Sequence, residues 1–268
     1  MNKMKKNKLQ IGIPCGKNSG EYIKFLLTTI RQTISQKTDY EIILGINDDS
    51  VDINNIVSEF SNENFKIIMC VDNNAYSFGH ASCVQSIFES MSEEYGMLID
   101  CDVAILKKNW DQTLIAQLNK NNVIIGSEYD GNKYLKFPNI VFCMFKTRIL
   151  SNLNISFMPT GKNKTINNDI ESDIFGREVG DTIFLDTGWE LPVKVKKAGY
   201  AGIPMNLESP RKDIENCIFM KPGDRGEEYQ LSGEPICTHV GRSFTRSFND
   251  PIVVRWKKRV NDYLENLN

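Results

Sequence analysis

The chain has 268 residues, a net charge of −2, 41% apolar and 25% charged residues, and two histidines. That is enough to bury one large core, and its balanced charge removes any global reason to expect a nucleic acid or acidic membrane as partner. No run of about 18 apolar residues offers a membrane span, and Leu9–Pro14 is too short and interrupted for a secretory core. Seven cysteines (15, 70, 83, 101, 143, 217 and 237) are odd in number and lack a Cys-x-x-Cys pair. They read as free, mostly buried thiols of a reducing cytoplasm, with peripheral attachment to a membrane surface as the alternative location.

In chain order, Leu9–Pro14 is an apolar strand followed by a Gly/Asn/Ser loop over Cys15–Gly20. Glu21–Ile34 carries apolar residues at helical spacing. Tyr40–Ile46 is a second strand ending on Asn47-Asp48-Asp49-Ser50, and Ile53–Phe60 a second helix. Strand Phe65–Val71, helix Ser77–Met91 and strand Tyr95–Ile99 follow, the last running into Asp100-Cys101-Asp102. Trp110–Lys120 reads as helix, Val123–Ser127 and Ile140–Lys146 as strands. The polar Met158–Asp181 reads as a long loop. Thr187–Ala198 is a predicted helix with Asp186 as N-cap and Gly199 as its stop. Lys221–Glu234 reads as loop and Pro251–Leu267 as a basic helix. Strand–helix alternation of this kind predicts an α/β fold with a mostly parallel sheet between helices.

Asp100 and Asp102 are the residues the chain is organised around. If the extended backbone continues past Ile99, the period of two sends both carboxylates to one side. In open α/β sheets, ligands lie beyond the carboxyl ends of strands, and paired oxygen donors there suit Mg²⁺ or Mn²⁺. The alternative is a plain turn cap. Asn47–Ser50, the Asn/Gly-rich Asn73–His80 and Pro14 also fall at strand ends, so one crevice can collect all four segments.

These segments, Pro14, Asp48-Asp49-Ser50, Gly79 and Asp100-Cys101-Asp102, together resemble the nucleotide-sugar-binding half of family-2-type glycosyltransferases with the GT-A fold. The family's usual Tyr-Asn after the proline is replaced by Cys15-Gly16. The resemblance implies one GT-A-like domain over 1–268, with residues 9–130 binding the donor and 131–268 forming an acceptor side. It implies a metal-dependent transferase, moving a sugar from a nucleotide diphosphate, with UDP first in line, to an acceptor hydroxyl with inversion. Asp48 or Asp49 would then accept hydrogen bonds from base or ribose, and Asp100 would face the ribose or the metal's waters. Asp102 would bind Mn²⁺ or Mg²⁺ directly. Gly79 would let backbone approach the donor.

By the same resemblance His239 would supply a third metal ligand and Arg242 a diphosphate clamp. Asp186, or Glu190 one turn later, would be the general base, and Trp189 an acceptor-stacking ring. Structural roles remain the alternatives: a turn cap for Asp48 and Asp49, a helix-entry glycine at Gly79, a structural histidine at His239, an N-cap for Asp186, core packing for Trp189. His80 reads as a loop or helix-start residue. Arg242–Arg259 holds six basic residues against Asp250 alone, either a solvated face or a surface for a polyanionic acceptor such as DNA or an anionic glycan. A sugar-phosphate nucleotidyltransferase, for which Gly12-x-x-x-Gly16-Lys17 stands in as a phosphate loop, and a non-catalytic nucleotide-sugar-binding module are the rival functions.

Overall fold

A computed structural model describes residues 6–48, 51–70, 77–128, 136–163, 177–179, 182–210, 214–241, 243 and 245–267. The first half alternates strand and helix: β1 Asn7–Cys15, α1 Gly20–Thr33, β2 Thr38–Ile46, α2 Ile53–Glu59, β3 Phe65–Met69, α3 Ser77–Glu89, β4 Tyr95–Ile99. Then come β5 Val103–Ile105, α4 Trp110–Ile115, β6 Asn122–Ser127, β7 Phe142–Lys146 and α5 Thr147–Ser151. The remainder comprises β8 Thr160–Asn163, β9 Arg177–Val179, β10 Thr182–Leu185, α6 Glu190–Lys197, β11 Ala201–Glu208, β12 Glu227–Leu231, β13 Glu234–His239 and α7 Pro251–Glu265.

Ten strands form one sheet in the order β3-β2-β1-β4-β7-β6-β11-β12-β13-β5. The expected parallel pairing holds for β3-β2-β1-β4 and for β6 with β11, whereas β7 and the β11-β12-β13-β5 end pair antiparallel. Helices cover both faces. On β2 and β4, Ile42, Leu44, Met97 and Ile99 face a core built with α1, α2, α4 and α7. The alternate residues Ile43 and Leu98 face a second core with α3, α5 and α6. Strands buried on both sides account for the nearly unbroken apolar runs of β1 and β4.

Two glycines set how closely α3 lies on the sheet. A Cβ on Gly12 would stand 2.2 Å from Ile87 Cγ2, and one on Gly45 2.5 Å from Cys83 Sγ. Six of the seven cysteines are buried and all are free, in keeping with the thiol reading.

Several expected elements change. Within the stretch read as a long loop, β8 and β9 flank β10 in a separate three-stranded antiparallel sheet. Lys221–Glu234 contains β12, paired through a two-residue Ser232-Gly233 turn with β13. Both turn residues have positive φ, 53° and 78°, the left-handed conformation such hairpins need and glycine favours. The helix expected from Thr187 starts at Glu190. Trp189 occupies its cap position without a side-chain capping bond, so Asp186 is not the N-cap. The helix from Trp110 stops at Ile115 rather than Lys120.

The terminal helix α7 is placed by packing rather than charge. Asp250 caps it, accepting from the Ile252 N–H at 2.8 Å, and Val253, Trp256, Val260 and Leu264 bury one face. Each such side chain contributes about 1.5–3 kcal/mol, against at most about 1 kcal/mol for an exposed ion pair. The Trp256 indole N–H donates to Thr238 Oγ1 on β13 at 3.2 Å, and the Thr238 hydroxyl donates to the Glu227 carbonyl at 2.8 Å. α7 thereby braces the hairpin from behind.

Candidate active site

Asp100 and Asp102 converge by a turn, not by strand alternation. The backbone leaves the extended conformation after Ile99, and the Val103 N–H closes a turn on the Asp100 carbonyl at 3.2 Å. The Asp100 N–H is held by Val141 O at 2.9 Å. Only these three turn residues separate β4, an inner strand, from β5, which pairs with β13 at the far end of the strand order. Three residues span about 10 Å at most. The hairpin end of the sheet must therefore return over the carboxyl end of β4.

That return brings His239 to the acids. On β13, His239 lies opposite Val103 of β5 on one side and Glu227 of β12 on the other. Its Nε2 is 3.2 Å from Asp102 Oδ1, and its Nδ1 is 3.0 Å from Glu227 Oε2. One ligand atom each from Asp100, Asp102 and His239 lies within 4.8 Å of the others. Asp102 is 3% exposed, its Oδ2 accepts the Ser243 N–H at 3.0 Å, and its carbonyl accepts the Val240 N–H at 3.2 Å.

The electrostatics follow from this packing. Burial works against the Asp102 carboxylate, yet the His239 ring and the Ser243 donors hold it ionised, with its pKa lowered to about 2. Burial likewise works against a charged His239, but Asp102 and Glu227 push its pKa well above the ordinary value. Three carboxylates, Asp100, Asp102 and Glu227, stand around the His239 ring, and the second histidine, His80, lies beside Asp100. Two carboxylates and an imidazole at this separation fit a divalent cation. Oxygen donors suit Mg²⁺ and Mn²⁺ alike.

Other expected residues are found as follows. Pro14 is buried in β1 beside Gly45, and Asp48 lies half-buried just beyond β2, its carbonyl accepting the Val51 N–H at 3.3 Å. Gly79 is buried in the first turn of α3. Asp49 and Arg242 lie outside the described residues, as do Asn73–Tyr76. His80, read from sequence as a helix-start residue, sits in the first turn of α3 with its Nε2 3.7 Å from Asp100 Oδ1.

The expected acceptor-side residues are tied to the site through α3. Gln85, just over a turn beyond His80, accepts the Phe157 N–H at 2.8 Å, and the Phe157 carbonyl accepts the Gly188 N–H at 3.0 Å. Asp186 follows β10 directly and is half-buried, with Oδ1 accepting the Thr187 N–H at 2.7 Å. Glu190 Oε2 accepts the Ser156 N–H at 2.9 Å and pairs with Lys194 at 2.6 Å. Trp189 is 7% exposed within the second core, its indole N–H donating to Met158 O at 3.1 Å. Its ring thus packs among the described residues of that core.

The basic run is largely consumed within the fold. Arg246 donates to the Val240 and Gly241 carbonyls, Arg259 pairs with Asp224, Lys258 with Asp262, and Lys257 sits over the Phe248 ring. Arg255 is exposed and Arg242 lies outside the described residues, and the comparisons with known proteins do not support DNA as acceptor.

Glu227 and Tyr229 escaped sequence reasoning. The Tyr229 hydroxyl donates to Glu227 Oε2 at 2.6 Å. The available signal was the Ser232-Gly233 turn, which fixes a hairpin and sets Glu227 across from His239.

Comparison with known proteins gives the family and the fold. The model for glycosyl transferase family 2 matches residues 11–175, and the chain belongs to that family. No curated protein matches the sequence. Among solved structures, the mannosyltransferase PcManGT of Pyrobaculum calidifontis, in complex with GDP-Man and Mn²⁺, is similar at 10% identity and a TM-score of 0.50, over 75% of this chain and 55% of its own. S. aureus TarS with UDP-GlcNAc is similar at 16% identity and a TM-score of 0.41, over 56% of this chain and 48% of that one. A Drosophila beta-1,4-galactosyltransferase 7 with manganese, UDP-Gal and xylobiose shows 12% identity and a TM-score of 0.44, over 91% and 76%. The chain thus spans about half the length of the first of these. At such identities the likeness concerns the GT-A fold. Among the described residues, no helix is long and apolar enough to cross a membrane.

Proposed function

We propose that the protein is a metal-dependent glycosyltransferase that moves a sugar from a nucleotide diphosphate donor to an acceptor hydroxyl with inversion. The observation that carries this reading is the convergence of Asp100, Asp102 and His239 at the carboxyl end of β4 in a chain of family 2. Asp102 and His239 would hold Mn²⁺ directly, with Asp100 completing the set or binding its waters. Bound there, the cation supplies Lewis-acid stabilisation of the departing diphosphate. Asp48, at the end of β2, would accept from the base or ribose, and Gly79 would let backbone approach the donor. Asp49 and Arg242 keep their proposed donor-side roles.

In the transfer, the acceptor oxygen bonds to the anomeric carbon as the bond from that carbon to the phosphate oxygen breaks. The acceptor proton passes to a carboxylate. Asp186 is our first choice of base because it lies ahead of α6, whereas Glu190 lies within the helix and pairs with Lys194. UDP remains the first nucleotide to test, on resemblance alone.

A thermal-shift screen of UDP- and GDP-sugars with and without Mn²⁺ tests the proposal. Stabilisation by one donor only with metal, followed by sugar turnover that a chelator abolishes, is expected. Metal-dependent binding without turnover would make the protein a binding module, and pyrophosphate release from a nucleoside triphosphate and a sugar phosphate would make it a nucleotidyltransferase.

A further inference from the structure

Resting on the metal reading above, we infer that Glu227, clamped by Tyr229, is a positioning residue that fixes His239 so that its Nε2 faces the cation. Three observations carry it. Glu227 Oε2 is 3.0 Å from His239 Nδ1, while Nε2 points to Asp102 at 3.2 Å, so the two ring nitrogens are divided between an orienting carboxylate and the metal cluster. Register enforces the division, since Glu227 is the β12 residue directly opposite His239. The carboxylate is itself held, by the hydroxyl of Tyr229, which is buried at 2% exposure and donates at 2.6 Å.

The chemistry of the ring explains why this matters. A neutral imidazole carries one proton, and the nitrogen that binds a metal must be the other one. An acceptor at Nδ1 keeps the proton there, leaves the lone pair on Nε2, and makes that lone pair more basic. Without it, the ring is free to rotate or to carry its proton on Nε2, where it repels a cation. The neighbouring residue shows the specificity of the arrangement. Glu228 points to the opposite face, fully buried, where it accepts the Ile218, Phe219 and Met220 N–H groups at 2.8–3.0 Å. Adjacent carboxylates on one strand thus divide between holding the metal ligand and holding the fold.

The test is Mn²⁺ affinity of the full chain by calorimetry, read beside the metal-free melting temperature and catalytic turnover. Glu227→Met keeps the volume and removes the acceptor, Glu227→Ala removes both, and Glu227→Gln keeps an acceptor oxygen. The Met and Ala variants should bind Mn²⁺ about 10–100-fold more weakly, and Gln should recover to within severalfold of the parent. Tyr229→Phe, which frees the carboxylate without removing it, should show a smaller loss. Should the Ala variant not fold, the Met variant decides. Unchanged Mn²⁺ affinity in Glu227→Met, whether or not its melting temperature falls, overturns the inference, as does a Gln variant no better than Met. A parent protein that binds no Mn²⁺ sinks the metal reading itself and is a separate failure.

Discussion

Asp100 and Asp102 reach the cluster from β4, an inner strand whose five residues are all buried. His239 and Glu227 reach it from the β12–β13 hairpin, near the other end of the strand order. The first side is local: two acids one residue apart, fixed by a single turn. The second is assembled over more than 120 residues of chain and depends on the sheet returning on itself, on the Asp102–Ser243 and Asp102–Val240 bonds, and on α7 bracing β13. A half-site in the sequence becomes a whole one only when these long-range contacts close, so the two sides should fail in different ways.

The largest effect is expected on the local side. Asp102→Asn should leave the fold intact yet lower turnover by about 10³-fold or more, since the stabilisation it anchors is worth several kcal/mol and each 1.36 kcal/mol is tenfold. Turnover and Mn²⁺ titration on the same sample check this, and undiminished turnover would remove the distinction between the two sides. The hairpin side should fail through stability. Trp256→Ala deletes a buried ring and its bond to Thr238, and should cost about 3–5 kcal/mol in denaturant unfolding. Surviving protein should bind Mn²⁺ less tightly, because β13 loses its brace.

A smaller and purely structural effect is expected at Gly12→Ala, where β1 packs against α3. The new methyl would meet Ile87 at 2.2 Å, which should cost about 1–3 kcal/mol with Mn²⁺ affinity preserved. The smallest belongs to Trp189→Phe. Losing the bond to Met158 should cost about 1 kcal/mol. An unchanged acceptor KM would support the packing role, and a raised one would restore Trp189 to the acceptor site.

Much of the architecture was legible because its signals are periodic or local. The apolar runs of β1, β2 and β4 and the helical spacing of α1 and α7 read directly as elements, because each buries its own regular pattern. The element boundaries that failed lie where propensity is weak. The polar strands β8 and β9 present no alternating apolar face, and α6 starts late because Asp186 spends its carboxylate on the adjacent amide rather than on a helix cap.

The sequence by itself determined the strand–helix order, the acid pair at the end of β4 and the two histidines that limit any nitrogen donor. Tertiary structure alone decided that His239 stands beside Asp102, that Glu227 lies against its other ring nitrogen, and that Trp189 packs within the second core. The reason is physical. A residue's reach along the chain is set by its neighbours, but which distant side chain meets it depends on strand register and on how the sheet closes, and neither is encoded in any single stretch.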